Sequence, residues 1–279
     1  MKNKICLVTG ATSGIGFQTA KELARLGMQV IIVGRNAEKS QSTVAQIHEQ
    51  TGNTQVEFML ADLSSQKQIR ALAEEFKKRY ARLDVLVNNA GIVEMSRKES
   101  ADGIEMTLAV NHLAYFLLTD LLLDMLRTGA PSRIVNVASA LHAQGKINFE
   151  DLQNKQSYNP LVVYNRSKLK NILFTYELAR RLDGTGVTAN TLHPGGVRTN
   201  LVARNGGFFK WVVQPLFNLM ATSVEEGART VVYLASSAEV EDVTGKYFGK
   251  CKEWKSSPAS YDGQAQKRLW KMSEEMVGA

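Results

Sequence analysis

The chain holds only two cysteines, Cys6 and Cys251, in 279 residues. They lie far apart, with no CxxC pair and no metal-ligand spacing around either, so reduced thiols are expected rather than a disulfide scaffold, and no metal is expected. Long apolar runs are also missing. The N-terminal MKNKICLVTG reaches a glycine before such a run develops, so neither a signal peptide nor a membrane anchor is predicted, and the protein is expected to be soluble and cytoplasmic. Repeats, low-complexity linkers and breaks in composition are lacking too, which argues for one domain over residues 1–279. Charge is unbalanced without being concentrated: 34 Lys and Arg stand against 27 Asp and Glu, a formal +7. A basic excess spread in this way suits anionic small ligands and adds a weak pull to acidic membranes; it is a poor argument for nucleic-acid binding.

What is present is an alternation of short apolar runs with longer amphipathic ones, the pattern of β-α units feeding a parallel sheet. KICLVTG, MQVIIVG, VEFMLAD, LDVLVNNAG, SRIVNVAS and GVTANTLHPGG read as strands. Helical periodicity marks Gln18 to Gly27, Ala37 to Gln50, Gln66 to Tyr80, Leu108 to Arg127 and Val163 to Leu182. The expected fold is α/β, a doubly wound Rossmann-type parallel sheet of about seven strands with helices on both faces. Two irregular stretches, Ser139 to Tyr158 and Val197 to Ser223, directly follow strand ends, the edge where such sheets bind ligands.

The first strand ends in TGATSGIG, Thr9 to Gly16. Glycines at 10, 14 and 16 let the backbone turn tightly and approach a pyrophosphate, and the following helix offers unpaired N–H groups at its positive end. The spacing GxxxGxG departs from the commoner GxGxxG, and a glycine-rich turn on its own also fits a ligand-free strand-to-helix turn. Further on, YNRSK places Tyr164 and Lys168 one helical turn apart on one face. Taken alone, such a pair is more often a packing tyrosine and a solvated lysine.

In this order TGATSGIG, NNAG at Asn88 to Gly91, Ser139, YNRSK and HPGGVRT resemble the short-chain dehydrogenase/reductase family over nearly the whole chain. Within it, the stretch from YNRSK to HPGGVRTNL, VNHLAYFLLTDLLL and the later GKYF and SSPASYD are similar to the retinol dehydrogenase branch. The resemblance implies interconversion of lipophilic carbonyls and alcohols with NADP(H), and a dimer or tetramer through the long helices after Thr107 and Val163. It implies Tyr164 as acid and base, Ser139 as the residue bonding the substrate oxygen, Lys168 on the nicotinamide ribose, and Asn111 as holder of a water that connects Lys168 to solvent. A free tyrosine, with a pKa of about 10, is a poor base near neutrality, and a nearby ammonium is expected to draw that value down. For the cofactor the resemblance implies Gly10, Thr12, Ser13, Gly14, Ile15 and Gly16 around the phosphates, Asp62 and Leu63 beside the adenine, and Asn89, Ala90 and Gly91 beside its ribose. Pro194, Gly195, Val197 and Thr199 correspond to the loop that orients the carboxamide. A binding protein that keeps NADPH without chemistry is the rival from another class, and an epimerase or dehydratase of the extended subgroup the rival among enzymes.

Cofactor choice is read from the end of the second strand, IIVGRN. An NAD enzyme places an acid there for the ribose diol, whereas arginine accommodates a 2′-phosphate. Here Gly34 is followed by Arg35, with Ser13 and Asn36 as helpers, so NADP(H) is predicted. The segment GGFFKWVVQPLFNLM, Gly206 to Met220, is read as an apolar lid in which Phe208, Phe209 and Trp211 meet a bulky lipophilic substrate, with His142 a further substrate-loop contact. Ordinary core packing, or an interfacial element dipping into a bilayer, would give the same apolar run.

Overall fold

β-branched residues cluster where the chain extends, and the strands form there. The computed structural model describes residues 1–195 and 223–279. Ile5–Thr9 (β1), Gln29–Gly34 (β2), Val56–Leu60 (β3), Val85–Asn88 (β4), Ser132–Val137 (β5), Val187–Leu192 (β6), Tyr247–Gly249 (β7) and Lys252–Trp254 (β8) form one sheet in the order β3-β2-β1-β4-β5-β6-β7-β8. All pairings are parallel except β7 with β8.

Between the strands run Gly14–Arg25 (α1), Ala37–Thr51 (α2), Gln66–Arg79 (α3), Met106–Leu108 (α4), Ala114–Leu121 (α5), Leu123–Thr128 (α6), Pro160–Arg181 (α7) and Val224–Ser236 (α8), and Gly263–Val277 (α9) follows the last strand. Asn36, Ser65, Asn159 and Asp262 each accept backbone N–H bonds in the first turn of the helix that follows. Asn159 and Pro160 start α7 earlier than the predicted Val163, since Pro at the first helical position gives up an N–H that would be unpaired anyway.

Alternate residues of each strand enter different cores. Leu7, Ile31, Leu86 and Ile134 pack with Ile69, Phe76, Phe116 and Phe174 on one face, while Val8, Ile32, Val87 and Val135 pack with Leu23, Ile47 and Val231 on the other. Burial on both faces is why the strands read as continuous apolar runs rather than alternating ones. The order reverses at β1, which has β2 on one side and β4 on the other, and this opens the ligand crevice of such sheets beside the end of β1.

Two expectations need correction. The sheet has eight strands rather than about seven, because the chain doubles back after β7 through Lys250 and Cys251. Both turn residues hold positive φ, 51° and 58°. The continuous helix predicted for Leu108 to Arg127 is instead α4, a π turn at Ala109–Leu113, α5 and α6, with a break at Leu122. In addition, α9 packs on α5 and α7 of the same chain. Trp270 packs 4.9 Å from Phe116 and 5.7 Å from Phe174, its ring lies under the Arg181 guanidinium, and Ser273 bonds His112 at 2.8 Å.

Candidate functional site

The glycine turn is tied to its neighbour strand by Thr9. Its hydroxyl accepts the N–H groups of Asn89 (2.9 Å) and Ala90 (3.1 Å), and Asn89 Nδ2 returns a bond to the Thr9 carbonyl at 2.9 Å. Gly10 has φ +65°, and a Cβ there would meet Ala90 Cα at 2.8 Å; a Cβ on Gly16 would lie 2.5 Å from Asn89 Nδ2. Only glycine allows this approach. Ser13, unlike the caps named above, makes no side-chain bond to α1, so the first N–H groups of that helix face the turn without a capping oxygen. The cradle fits a pyrophosphate, and Thr12, Ser13, Gly14 and Ile15 lie within it.

At the end of β2, Arg35 is exposed. Asn36 Oδ1 is occupied by the Lys39 N–H at 2.7 Å, so that oxygen serves α2. A Cβ on Gly34 would lie 2.4 Å from Ser40 Oγ and 2.8 Å from Thr12 Cγ2. An acid at this position would have to displace the Ser40 and Thr12 side chains. Asp62, past the end of β3, accepts from Ser64 N and Ser64 Oγ at 2.9 and 2.8 Å, with half-buried Leu63 next to it.

The predicted catalytic set comes together at the carboxyl end of β5. Ser139 caps a 3₁₀ turn, Ala140–Gln144, and its oxygen accepts Leu141 N–H at 3.2 Å, which leaves its hydrogen free for Tyr164. Lys168 is 3% exposed and donates to the Val137 carbonyl at 3.0 Å; its ammonium lies 5.6 Å from the centre of the Tyr164 ring and 5.9 Å from that of Tyr115. Asn111 sits in the π turn, where Oδ1 accepts from Ile92 N (2.8 Å) and Nδ2 donates to Ile92 O and Ser167 Oγ (both 3.0 Å). A Cβ on Gly91 would lie 3.5 Å from Lys168 Nζ and 3.6 Å from Asn111 Oδ1, so Gly91 separates these two groups.

Burial, not the ammonium, sets the direction of the tyrosine. It pushes the Tyr164 phenol up to about 12, with the Ser139 hydrogen bond opposing, and lowers Lys168 to about 8. The net direction is therefore upward, set by burial, and any pull from Lys168 does not overcome it. One of the three ammonium N–H groups of the lysine goes to the Val137 carbonyl, and none bonds the phenolic oxygen in this structure.

Two positions gain roles the sequence did not signal. Tyr115 donates to the Ala90 carbonyl at 2.8 Å and fixes the Asn89–Gly91 turn from below, and Ser167 links Asn111 to α7. Buried polar partners of this kind carry no spacing signature. His142 is buried, with both ring nitrogens bonded within the chain. Pro194 is half-buried and Gly195 exposed with φ +86°. Val197, Thr199, Phe208, Phe209 and Trp211 lie outside the described residues. Among the described residues no group of His, Cys, Asp and Glu is arranged to hold a metal, and no helix is long and apolar enough to cross a membrane.

Comparison with known proteins bears on the family and the fold. The family model described as short chain dehydrogenase matches residues 4–206. Human retinol dehydrogenase 14 is 46% identical over 295 residues, covering 100% of this chain and 87% of that protein. Among solved structures, an uncharacterized protein from Mycobacterium paratuberculosis superposes with a TM-score of 0.81 at 32% identity, over 100% of this chain and 94% of that one. An RhlG/NADP active-site complex from Pseudomonas aeruginosa gives a TM-score of 0.70 at 28% identity, over 89% and 94% of the two chains.

Proposed function

The chain belongs to the short-chain dehydrogenase family, in its retinol dehydrogenase-like branch, and from that premise we propose that it reduces a bulky apolar aldehyde or ketone with NADPH, and runs the reverse alcohol oxidation, with Tyr164 as proton donor and acceptor. The observation that carries this reading is the convergence of Ser139, Tyr164 and Lys168 around a phenol that burial keeps protonated at neutral pH.

When bound, NADPH supplies the hydride. Gly10, Thr12, Ser13, Gly14, Ile15 and Gly16 would hold its pyrophosphate, Arg35 its 2′-phosphate, Asp62 and Leu63 its adenine, Asn89 to Gly91 the adenine ribose, and Lys168 the nicotinamide ribose. Arg35 at the end of β2, and the Ser40 and Thr12 side chains that an acid at Gly34 would have to displace, support NADPH over NADH. The NADP named with the Pseudomonas complex points the same way.

Reduction builds negative charge on the carbonyl oxygen, and preorganised donors are worth most where charge develops. With substrate bound, Ser139 would turn its hydroxyl hydrogen from Tyr164 to that oxygen and hold the carbonyl against the phenol. The phenol then gives up its proton, and the buried ammonium of Lys168 stabilises the phenolate left behind. Asn111 fixes the turn beside Lys168 through Ile92 and Ser167.

An apolar substrate is supported by the relatives' name, with exposed apolar residues on the helix that carries Tyr164. Leu161 and Val162, on the first turn of the helix that carries Tyr164, are 54% and 42% exposed. The test is consumption of NADPH against NADH over aldehydes and ketones from short to long and apolar, retinal included, with wild type beside Tyr164→Phe. Turnover on the long members that vanishes in the variant while cofactor binding persists is expected. Cofactor binding without turnover on any carbonyl would sink the enzyme reading in favour of a binding protein.

A further inference from the structure

We propose that His142 is a positioning residue, a neutral latch that holds Ser139 in place and ties it to the segment Ser256–Tyr261. The inference rests on the reading of Ser139 as the residue that holds the substrate oxygen, and it replaces the expectation that His142 meets the substrate itself.

His142 is 3% exposed and lies on the turn that Ser139 caps. The Ser139 carbonyl receives two donors from this one residue, its backbone N–H at 3.1 Å and its ring Nδ1 at 2.7 Å. The other ring nitrogen, Nε2, accepts the backbone N–H of Ser257 at 3.0 Å. A carbonyl only accepts and a backbone N–H only donates, so the two partners dictate the tautomer: hydrogen on Nδ1, none on Nε2. A second proton on the ring would set a donor against the Ser257 donor.

What the latch holds follows from its two ends. Ser139 must keep its hydroxyl hydrogen aimed into the site, and that aim depends on a short 3₁₀ turn, an element with poor hydrogen-bond geometry of its own. The ring bond closes this turn from outside. At the other end, Ser257 belongs to a buried polar cluster in which Tyr176 OH bonds Ser256 Oγ at 2.7 Å, Ser256 Oγ bonds Ser260 Oγ at 2.6 Å, and Gln266 Nε2 donates to the Ser260 carbonyl at 2.6 Å. His142 thus anchors the catalytic turn to α7 and α9 through residues far away in sequence.

The titratable groups around the ring favour its neutral form. Tyr247 meets it edge to face at 4.9 Å, with His193 stacked on the same tyrosine at 5.3 Å. Tyr176 and Tyr261 lie across the serine cluster, and exposed Lys250 and Glu253 sit on the β7–β8 hairpin. Burial lowers the imidazole below its ordinary value against the opposing pull of the Ser139 carbonyl. The latch is therefore closed at neutral pH and opens only in acid.

Two substitutions separate the two bonds. Asparagine places an amide nitrogen where Nδ1 sits and keeps the bond to Ser139; glutamine places an amide oxygen near Nε2 and keeps the bond to Ser257. Each loses one bond, so similar melting temperatures are expected. With NADPH and decanal, kcat is expected to fall further in His142→Gln than in His142→Asn, by about tenfold, the worth of one hydrogen bond in the transition state, at an unchanged KM for NADPH. The acid-side fall of wild-type kcat should be missing in both. Equal kcat values, or the reverse order, would overturn the proposal, the latter showing that only the anchoring of Ser257 matters. If wild type turns over no carbonyl, the reductase reading fails and ¹⁵N NMR of the ring decides the latch alone: a neutral ring with hydrogen on Nδ1 down to about pH 6 supports it, and a ring titrating near about 6.5, or protonated on Nε2, overturns it.

Discussion

The ammonium of Lys168 lies 5.6 Å from the centre of the Tyr164 ring, yet it gives a hydrogen bond to the backbone carbonyl of Val137. The lysine is thus held beside the phenol without touching its oxygen. Burial raises the tyrosine and lowers the lysine, so each charged form is disfavoured relative to water, while a lysine near 8 still carries its charge at neutral pH.

A charge buried in this way costs stability. The folded-state value of Lys168, about 8, is below its ordinary 10.5, so the folded protein binds fewer protons than the unfolded chain between these values, and stability rises as pH climbs through that window. Lys168→Met is expected to unfold at higher temperature than wild type at pH 7, by on the order of 2 kcal/mol after the lost bond to Val137 is allowed for, while turnover disappears. The stability gap should close between about pH 8 and pH 10.5. A variant less stable than wild type at pH 7 would refute the account.

Lys170 gives the control. It is 2% exposed and lowered by burial to about 8, with Glu105 pulling the other way, and it lies outside the site. Lys170→Met should therefore stabilise the protein in the same pH range and leave kcat as it is. Loss of turnover in this variant would show that the two lysines are not separable.

The direction of the chemistry follows from the same pair. A phenol held near 12 stays protonated across neutral pH, so its proton is present for carbonyl reduction although it is a weaker acid than a free tyrosine; reduction should then depend on Lys168 and weaken as pH rises through about 8, where the lysine loses the charge that stabilises the phenolate. Alcohol oxidation should gain with rising pH. A reductive kcat that stays flat to pH 10 would remove Lys168 from this role.

Cofactor choice is tested at β2. Arg35→Asp should weaken NADPH by tenfold or more, on the order of one charge-assisted contact, and NADH much less; equal losses would sink the assignment. Gly34→Asp should destabilise the fold without gaining NADH, since its Cβ would fall 2.4 Å from Ser40 Oγ, and pairing it with Ser40→Ala should restore part of the loss. Melting curves and cofactor titrations of the single and double variants decide this.

Much of this was legible in the residues. Strand positions from β1 to β6 follow from Val and Ile runs ended by glycine or a polar residue, and Gly10 and Gly16 announced a close approach that Ala90 and Asn89 now account for. The hairpin after β7 was not legible, because Lys250 and Cys251 take the left-handed turn that asparagine and glycine normally advertise. Nor did periodicity show the π turn, which is held by Asn111 reaching sideways to Ile92 and Ser167. The protonation of Tyr164 was out of reach for a related reason. A four-residue spacing brings an ammonium near a phenol but does not say how deep both are buried or which carbonyl the ammonium chooses.

The covering of α5 and α7 by α9 also bears on how the chain reaches its folded state. Gln66 Nε2 donates to the Met276 carbonyl and Arg70 to that of Val277, contacts that close loops of 210 and 207 residues. Closures of that length are slow to be repaid by the contacts they permit, so α9 is expected to dock after the sheet has formed. A chain with α9 undocked would leave Phe116 and Phe174 without the Trp270 ring that packs on them, an exposed apolar patch of the kind that favours aggregation.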